Sequence, residues 1–353
     1  MSDLTLDTTP PEGIYHYTDI SKVPWDCQKY PTLSTSTCSL PIAPPPFTQL
    51  TTSRYFQQRR TLFSRYHHGI WLTPSAWFGV TPEPVARAIA SHITHHYLGL
   101  DLDLDLDLTT TSSTPPPIIP NTILVDAFAG AGGNTIAFAQ HTPFERIIGI
   151  ENDAQVLACA QHNAHKVYGV PWRRIEWLSS SCFEVLKYLR GELRNKGYED
   201  EELATRTKTE PPKKTIVVVF GSPPWGGVGY EGDAGKAPKQ ERVFDLEAMQ
   251  PYGLKRLVDG LSILADDDDE SWEETRQGGL VLYLPRGGDL RQLAALGKQA
   301  TPGDDEAKMQ VVHYCVRGAS KAMCVFLNND QHLKEWTRRM EISPAEGTTI
   351  APA

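Results

Sequence analysis

The chain has 353 residues, enough for one large or two modest domains with a full core. No stretch approaches 18 apolar residues and no hydrophobic run follows Met1, so neither a membrane span nor a secretory leader is expected. The net charge of −9 argues against a polyanion partner only until its distribution is read. Of the 43 acidic residues, 16 fall in four runs (Asp101–Leu108, Glu199–Glu202, Asp266–Glu270, Asp304–Glu306), and the remainder carries 34 basic against 27 acidic residues. Such runs read as solvated loops, which leaves a basic face available for phosphate.

Residues 1–46 are rich in Pro, Thr and Ser without periodicity and read as a disordered or loosely packed segment. Residues 47–99 read as a helical extension. Thr51–Tyr66 (TTSRYFQQRRTLFSRY) interleaves Tyr55, Phe56, Leu62, Phe63 and Tyr66 with Arg54, Arg59, Arg60 and Arg65. An aromatic stretch laced with arginines suits a docking face, and equally a contact to phosphate and ring. Thr81-Pro82-Glu83-Pro84 then opens a helix to about Tyr97, with Thr81 as its N-cap. Residues 100–117 (with DLDLDLDLTTTSSTPPP at 101–117) read as a low-complexity insertion.

From Ile118 strands and helices alternate. Strands are predicted at Thr122–Ala127, Ile147–Glu151, Ile175–Leu178, Ile216–Phe220, Leu280–Leu284, Gln310–Val316 and Ala322–Leu327. Helices are predicted at Asn134–Gln140, Ala154–Tyr168, Phe183–Arg190, Leu246–Leu264 and Leu290–Leu296, and Gly191–Lys214 reads mostly as loop. The alternation predicts a doubly wound α/β sheet over 118–330. The linker Arg317–Lys321 is too short for a parallel crossover, so the last two strands form an antiparallel hairpin. A mostly parallel seven-stranded, Rossmann-like sheet with a terminal hairpin resembles the class I S-adenosylmethionine-dependent methyltransferase fold. Residues 331–353 read as a tail. The six cysteines (Cys27, Cys38, Cys159, Cys182, Cys315, Cys324) include no CxxC pair and no zinc spacing, so they read as reduced thiols of a cytosolic or nuclear protein without a metal.

Two constellations carry chemistry. Leu124–Thr135 (LVDAFAGAGGNT) ends an apolar run in Asp126 and then turns through Gly130, Gly132 and Gly133. The G-x-G-G pattern differs from the dinucleotide fingerprint and does not specify a pyrophosphate. Asp126 suits an ammonium. Ile147–Asp153 (IIGIEND) ends a second strand in Glu151, where an acid can accept ribose hydroxyls. Amine acceptor, glycine turn and ribose acid in this order are what S-adenosylmethionine needs; a nicotinamide or flavin domain would leave the second constellation unexplained. That second constellation is Val217–Tyr230 (VVVFGSPPWGGVGY), where a β-branched run stops at Gly221 and Ser222-Pro223-Pro224-Trp225 leaves the sheet as a stiff loop. A hydroxyl, unused carbonyls and one flat ring suit a planar amine-bearing ligand such as a nucleobase.

LVDAFAGAGGNT, GIENDAQVLACAQHNAHKVYGV, VVFGSPPWGGVGY and LYLPRGG, with RYFQQRRTLFSRYHHGIWLTPSAWFGVTPE before them, resemble the trimethylguanosine synthase family of RNA cap guanosine-N2 methyltransferases. The resemblance covers roughly 54–98 and 118–327. It implies that Trp225 stacks on 7-methylguanine with Ser222 and Pro223 beside its N2, these three forming the catalytic set. It implies that Arg286 and Arg54 meet cap phosphates, and that Phe63, Thr81, Asp126, Gly130, Gly132, Asn134, Glu151 and Ser181 line the S-adenosylmethionine site. Arg54 stands where the family has Lys, Glu151 where it has Asp, Ser181 where an acid is usual, and Gly287 where it has Asn. The implied substrates are 7-methylguanosine-capped small nuclear and small nucleolar RNAs. The implied setting is a nuclear monomer, with the cytoplasm as second location and ribonucleoprotein core proteins as further partners. Two rivals remain: a methyltransferase for N2 of guanine or N6 of adenine at internal rRNA or tRNA bases, and an inactive cap-binding relative.

Overall fold

In a computed structural model of the chain, the structure describes residues 54–73, 76–100, 116–193, 215–226, 243–262, 276–299, 309–316 and 319–327. The expectations for 1–46, for the acidic runs, for nearly all of 100–117 and for the tail fall outside these residues.

All seven expected strands are present: β1 (Ile119–Asp126), β2 (Phe144–Glu151), β3 (Glu176–Ser179), β4 (Thr215–Gly221), β5 (Arg276–Pro285), β6 (Met309–Val316) and β7 (Ala319–Leu327). The chain divides into two compact units, residues 1–91 with 103–186, and residues 92–102 with 187–353. In the first, β1, β2 and β3 run parallel in the order β3-β2-β1. In the second, the order is β4-β5-β7-β6, with β4 and β5 parallel and β7 antiparallel to both β5 and β6. Parallel strands in each unit, with β7 antiparallel at the end of the second, are the strand complement expected of the class I methyltransferase fold. The central stretches of β1, β2, β4 and β5 are buried, which is why they read as unbroken β-branched and Leu runs instead of alternating ones.

The main helices are α1 (Glu83–Leu98), α2 (Gly133–His141), α3 (Ala154–His162), α4 (182–193), α5 (Leu254–Leu261) and α6 (Leu290–Gln299). In the first unit, α1 buries Val85, Ala86, Ile89 and Ala90, an i, i+1, i+4, i+5 stripe. In the second, its last turn lays Tyr97 on β5. A Cβ at Gly279 would collide with that ring, so only glycine leaves room for it. The Tyr97 hydroxyl donates to the Leu327 carbonyl at 3.0 Å.

Five expectations are corrected. Thr51–Tyr66 is not one helix: Arg54–Gln57 and Arg59–Leu62 are single turns, and a 3₁₀ turn follows at Tyr66–His68. Thr81 does not cap α1, because the Pro82 carbonyl takes the first helical amides and the Thr81 hydroxyl is used elsewhere. The helix begun at Ala154 changes at Asn163 into a π turn over Asn163–Val167. Leu246–Leu264 splits into a 3₁₀ turn at Leu246–Ala248 and α5. Pro251 has no N–H to give a continuous helix, and Gly253 precedes the new start. Finally, α4 runs to residue 193, into the stretch read as loop.

Candidate functional site

In the first unit the candidates cluster at the carboxyl ends of β1 and β2, where the glycine turn reverses the chain. Gly130 and Gly132 have φ of +54° and +91°, which L side chains rarely adopt. A Cβ at Gly132 would also sit 3.3 Å from the Ala160 Cα of α3, so this turn passes close to the next helix. Its amides are held by the two strand-end acids. Glu151 accepts the Gly130 N–H at 3.1 Å and the Asp153 N–H at 2.9 Å, one on each carboxylate oxygen. Asp126 is fully buried and accepts the Thr135 hydroxyl at 2.6 Å and the Phe128 N–H at 3.4 Å.

Burial dominates the electrostatics of both acids. It pushes the Asp126 carboxyl up to about 7, with the bonds from Thr135 and Phe128 opposing and the Glu151 charge adding to the rise. Glu151 is raised as well, burial again being the largest cause and its backbone bonds opposing.

Three side chains tie the segment before α1 to this turn, to the start of α2 and to Tyr168. The Thr81 hydroxyl accepts Asn134 Nδ2 at 3.0 Å, while Asn134 Oδ1 is buried with no hydrogen-bond partner. Glu83 accepts the backbone N–H and hydroxyl of Ser64 and, at 2.7 Å, the Tyr168 hydroxyl. That fixes Phe63, which is buried and lines a small cleft with Leu62, Arg87, Gly133, Ile136 and Tyr168. Asn163, fully buried at the start of the π turn, accepts the Trp71 N–H at 2.7 Å and donates to the carbonyls of Trp71 at 2.9 Å and Ala131 at 3.0 Å.

Asn163 and Glu83 are therefore positioning residues that the sequence motifs do not reveal, since their bonds span 19 to 92 residues of chain. Asn163→Ala would leave three buried backbone groups unpaired. A loss of about 3 kcal/mol in stability is expected, together with a raised KM for the methyl donor. Arg174→Ala is the control. Arg174 donates to the carbonyls of Ala139 in the last turn of α2 and of Thr142 and Phe144 just after it, so its loss should lower Tm and leave that KM alone. Ser181 stands half-buried just before α4, its carbonyl accepting the Val185 N–H, and among the described residues its side chain is not hydrogen-bonded to the other candidates.

In the second unit, Ser222 is half-buried and Pro223 buried immediately after β4. Trp225 is half-buried. Its indole N–H donates to the Tyr283 carbonyl at 3.3 Å, and its ring stacks on that of Tyr283 with centroids 5.7 Å apart and planes 29° apart. The structure thus gives Trp225 a partner on its own sheet. Arg286 is exposed where β5 ends. The glycines after it pack tightly: the Gly287 carbonyl accepts the Phe244 N–H at 2.7 Å, and a Cβ at Gly288 would lie 2.6 Å from Met323 Cε. Arg54 lies on a short helical turn, and its side chain is outside the described residues. Among the described residues no group of His, Cys, Asp and Glu could hold a metal, and no helix is long and apolar enough to cross a membrane.

Residues 121–330 match the family model described as RNA cap guanine-N2 methyltransferase. The chain belongs to this family. Within the cap guanine-N2 methyltransferases it is 30% identical over 276 residues to the trimethylguanosine synthase of Schizosaccharomyces pombe, covering 78% of this chain and 85% of that protein. It is 27% identical over 244 residues to the Saccharomyces cerevisiae enzyme of the same name, covering 68% of this chain and 56% of that protein. A solved precorrin-6y C5,15-methyltransferase from Geobacter metallireducens GS-15 is similar over 71% of this chain and 91% of its own, at 13% identity and a TM-score of 0.31. So loose a likeness adds nothing, and the strand order and the family match stand without it. The family match spans the glycine turn, both strand-end acids, the Ser-Pro-Pro-Trp loop and Arg286.

Proposed function

We propose that this chain methylates the exocyclic N2 of 7-methylguanosine at RNA 5′ ends, yielding 2,2,7-trimethylguanosine caps on small nuclear and small nucleolar RNAs in the nucleus. The observation that carries the reading is a Ser-Pro-Pro-Trp loop at the carboxyl end of β4 inside the region matched by the family. The methyl donor is S-adenosylmethionine, which when bound supplies an electrophilic methyl group.

The residues present fit that donor. A buried acid, a glycine turn and a second strand-end acid offer sites for its ammonium, its backbone-contacting portion and its ribose. The unpartnered Asn134 Oδ1 adds a buried acceptor at the start of α2. Asp126 would take the ammonium and Glu151 the ribose, with Phe63, Thr81, Gly130, Gly132, Asn134 and Ser181 around them.

For the guanine, the Trp225–Tyr283 pair supplies a platform. Held by Tyr283, the indole loses little rotamer freedom when a third ring joins the stack, and a cationic 7-methylguanine gains a cation–π term of about 0.5–2 kcal/mol over a neutral base. The guanine amine is delocalised into its ring, so its lone pair has to be freed by orienting its N–H bonds. The Ser222 hydroxyl and the Pro223 carbonyl are suited to accept those bonds. No carboxylate stands at the Ser222 position, so positioning supplies the rate and the proton leaves after transfer. Arg286 and Arg54 would meet the cap phosphates.

Incubating the protein with S-adenosylmethionine and m7GpppG, then reading the product by mass spectrometry, tests the activity. Two added methyls on the 7-methylated guanine are expected, and none on GpppG or on uncapped RNA. Methylation of internal adenine or guanine with the cap untouched would refute it. Glu151→Ala should weaken donor binding about tenfold or more, because it also frees the Gly130 amide that shapes the turn. Calorimetry giving unchanged affinity would contradict the ribose assignment.

A further inference from the structure

From Arg54 through Pro82 the chain has no acidic residue. Within this stretch Arg59, Arg60 and Arg65 form no ion pair with any described carboxylate. The nearest acid in sequence, Glu83, spends its oxygens on Ser64 and Tyr168. The three guanidinium groups are instead held by neutral partners. Arg59 donates to the Phe56 carbonyl at 3.0 Å and lies 4.3 Å over the Phe56 ring. Arg60 is exposed and donates to His67 Nε2 at 2.8 Å. Arg65 is exposed, donates to the Val167 carbonyl at 3.1 Å and lies 5.5 Å from the Tyr168 ring centre.

Arg59 and Arg60 share one neighbourhood, and Arg65 is the residue before Tyr66 in the chain. Arg59 also lies 5.9 Å from the Tyr66 ring centre, and Tyr66 contacts the His67 ring edge-on. Burial first, then the charges of Arg60 and Arg59, hold the His67 imidazole below the usual histidine range. Each arginine donates one hydrogen bond to a neutral partner and keeps further N–H donors, the arrangement expected of a preorganised site for oxyanions.

We propose that Arg59, Arg60 and Arg65 bind the phosphates of the transcribed nucleotides that follow the cap, so that this face reads the RNA body and not the cap itself. A flexible polyanion suits it better than an acidic protein surface: the donors are arginines beside aromatic rings, the pairing used for phosphate and base together. The inference rests on the proposed cap methylation, and its test is built to separate the two.

Michaelis constants are measured for m7GpppG and for a 5′-m7G-capped 20-nucleotide RNA between 50 and 200 mM KCl. Each phosphate contact to a single strand contributes about 0.7 to the log–log salt slope, so three contacts make the slope for capped RNA steeper by about 2. That is roughly a 20-fold weakening across this range, absent from the dinucleotide. Arg60→Glu should raise KM for capped RNA about five- to tenfold and reduce the slope by about 0.7 or more, leaving the dinucleotide unchanged. Unchanged dinucleotide turnover also reports that the variant is folded.

Equal salt slopes for the two substrates, or an Arg60→Glu effect that is absent or equal on both, would overturn the proposal and leave the patch to an acidic protein partner. If the wild-type protein methylates neither substrate, the cap reading has failed instead. Fluorescence anisotropy of a labelled uncapped RNA, wild type against Arg60→Glu, then decides this inference alone: tighter binding by the wild type supports it, and identical binding refutes it.

Discussion

Trp225→Ala is expected to lower kcat/KM on a 7-methylguanosine cap by about 10²–10³-fold while the affinity for S-adenosylmethionine stays within a factor of about two. Removing an aromatic platform from a stacked base costs about 1–3 kcal/mol, and the positive charge of the 7-methylated ring adds about 0.5–2 kcal/mol. At about 1.4 kcal/mol per tenfold, the middle of that range gives the stated loss. The donor constellation lies in the other compact unit, with Asp126, Gly130 and Glu151, so donor affinity separates lost stacking from general unfolding. Trp225→Phe makes the sharper comparison. It keeps a ring to lie on Tyr283 but loses the indole N–H that donates to the Tyr283 carbonyl and has a weaker cation–π face. Activity should fall less than in the alanine variant, and preference for the 7-methylated over the unmethylated cap should narrow. Near-normal turnover by Trp225→Ala would mean that the indole serves only to cover Tyr283, as its contacts in the free protein also allow.

Why the strands could be read from sequence and much of the site could not has a physical basis. Ile147, Ile148 and Ile150 of β2 and Val217–Phe220 of β4 are buried in a covered sheet, an environment that favours β-branched and aromatic residues. β5 was legible only from Leu280, because its first residues, Arg276–Gly279, carry neither an apolar run nor alternation. Gly279 is small for Tyr97, a residue 182 positions earlier. Gly130, Asp126 and Glu151 could be picked out because strand ends and glycine turns are local patterns. Their use could not be: the Glu151 carboxylate clips the Gly130 amide, and Asp126 is engaged by Thr135. Asn163 was invisible within a helical run, since what sets it apart is a carboxamide meeting Trp71, 92 residues away. A π turn begins at the same residue. Likewise, nothing near Trp225 in sequence announces Tyr283.

Asp126 carries the second large effect, and it is a pH effect. Burial outweighs the bonds from Thr135 and Phe128 and brings the carboxyl to about 7, whereas in the unfolded chain it titrates near 3.8. Between those values the folded protein keeps a proton that the unfolded chain releases. The stability Asp126 contributes is thus full below the unfolded value and is lost as pH rises through about 7. Donor binding has the opposite sign, because an ammonium needs the carboxylate. Below pH 7, binding S-adenosylmethionine must first expel the proton, so affinity should fall about tenfold per pH unit and level off above about pH 7.5. Asp126→Asn should abolish that slope, flatten the decline of Tm with pH in the free protein, and weaken binding at pH 8 by about 10²-fold, the cost of stripping one partner from a buried charge pair. Calorimetric titrations at pH 6 and pH 8 decide the matter. Equal affinities in the wild type would mean that the ammonium lies elsewhere and that Asp126 serves only to anchor the start of α2 through Thr135.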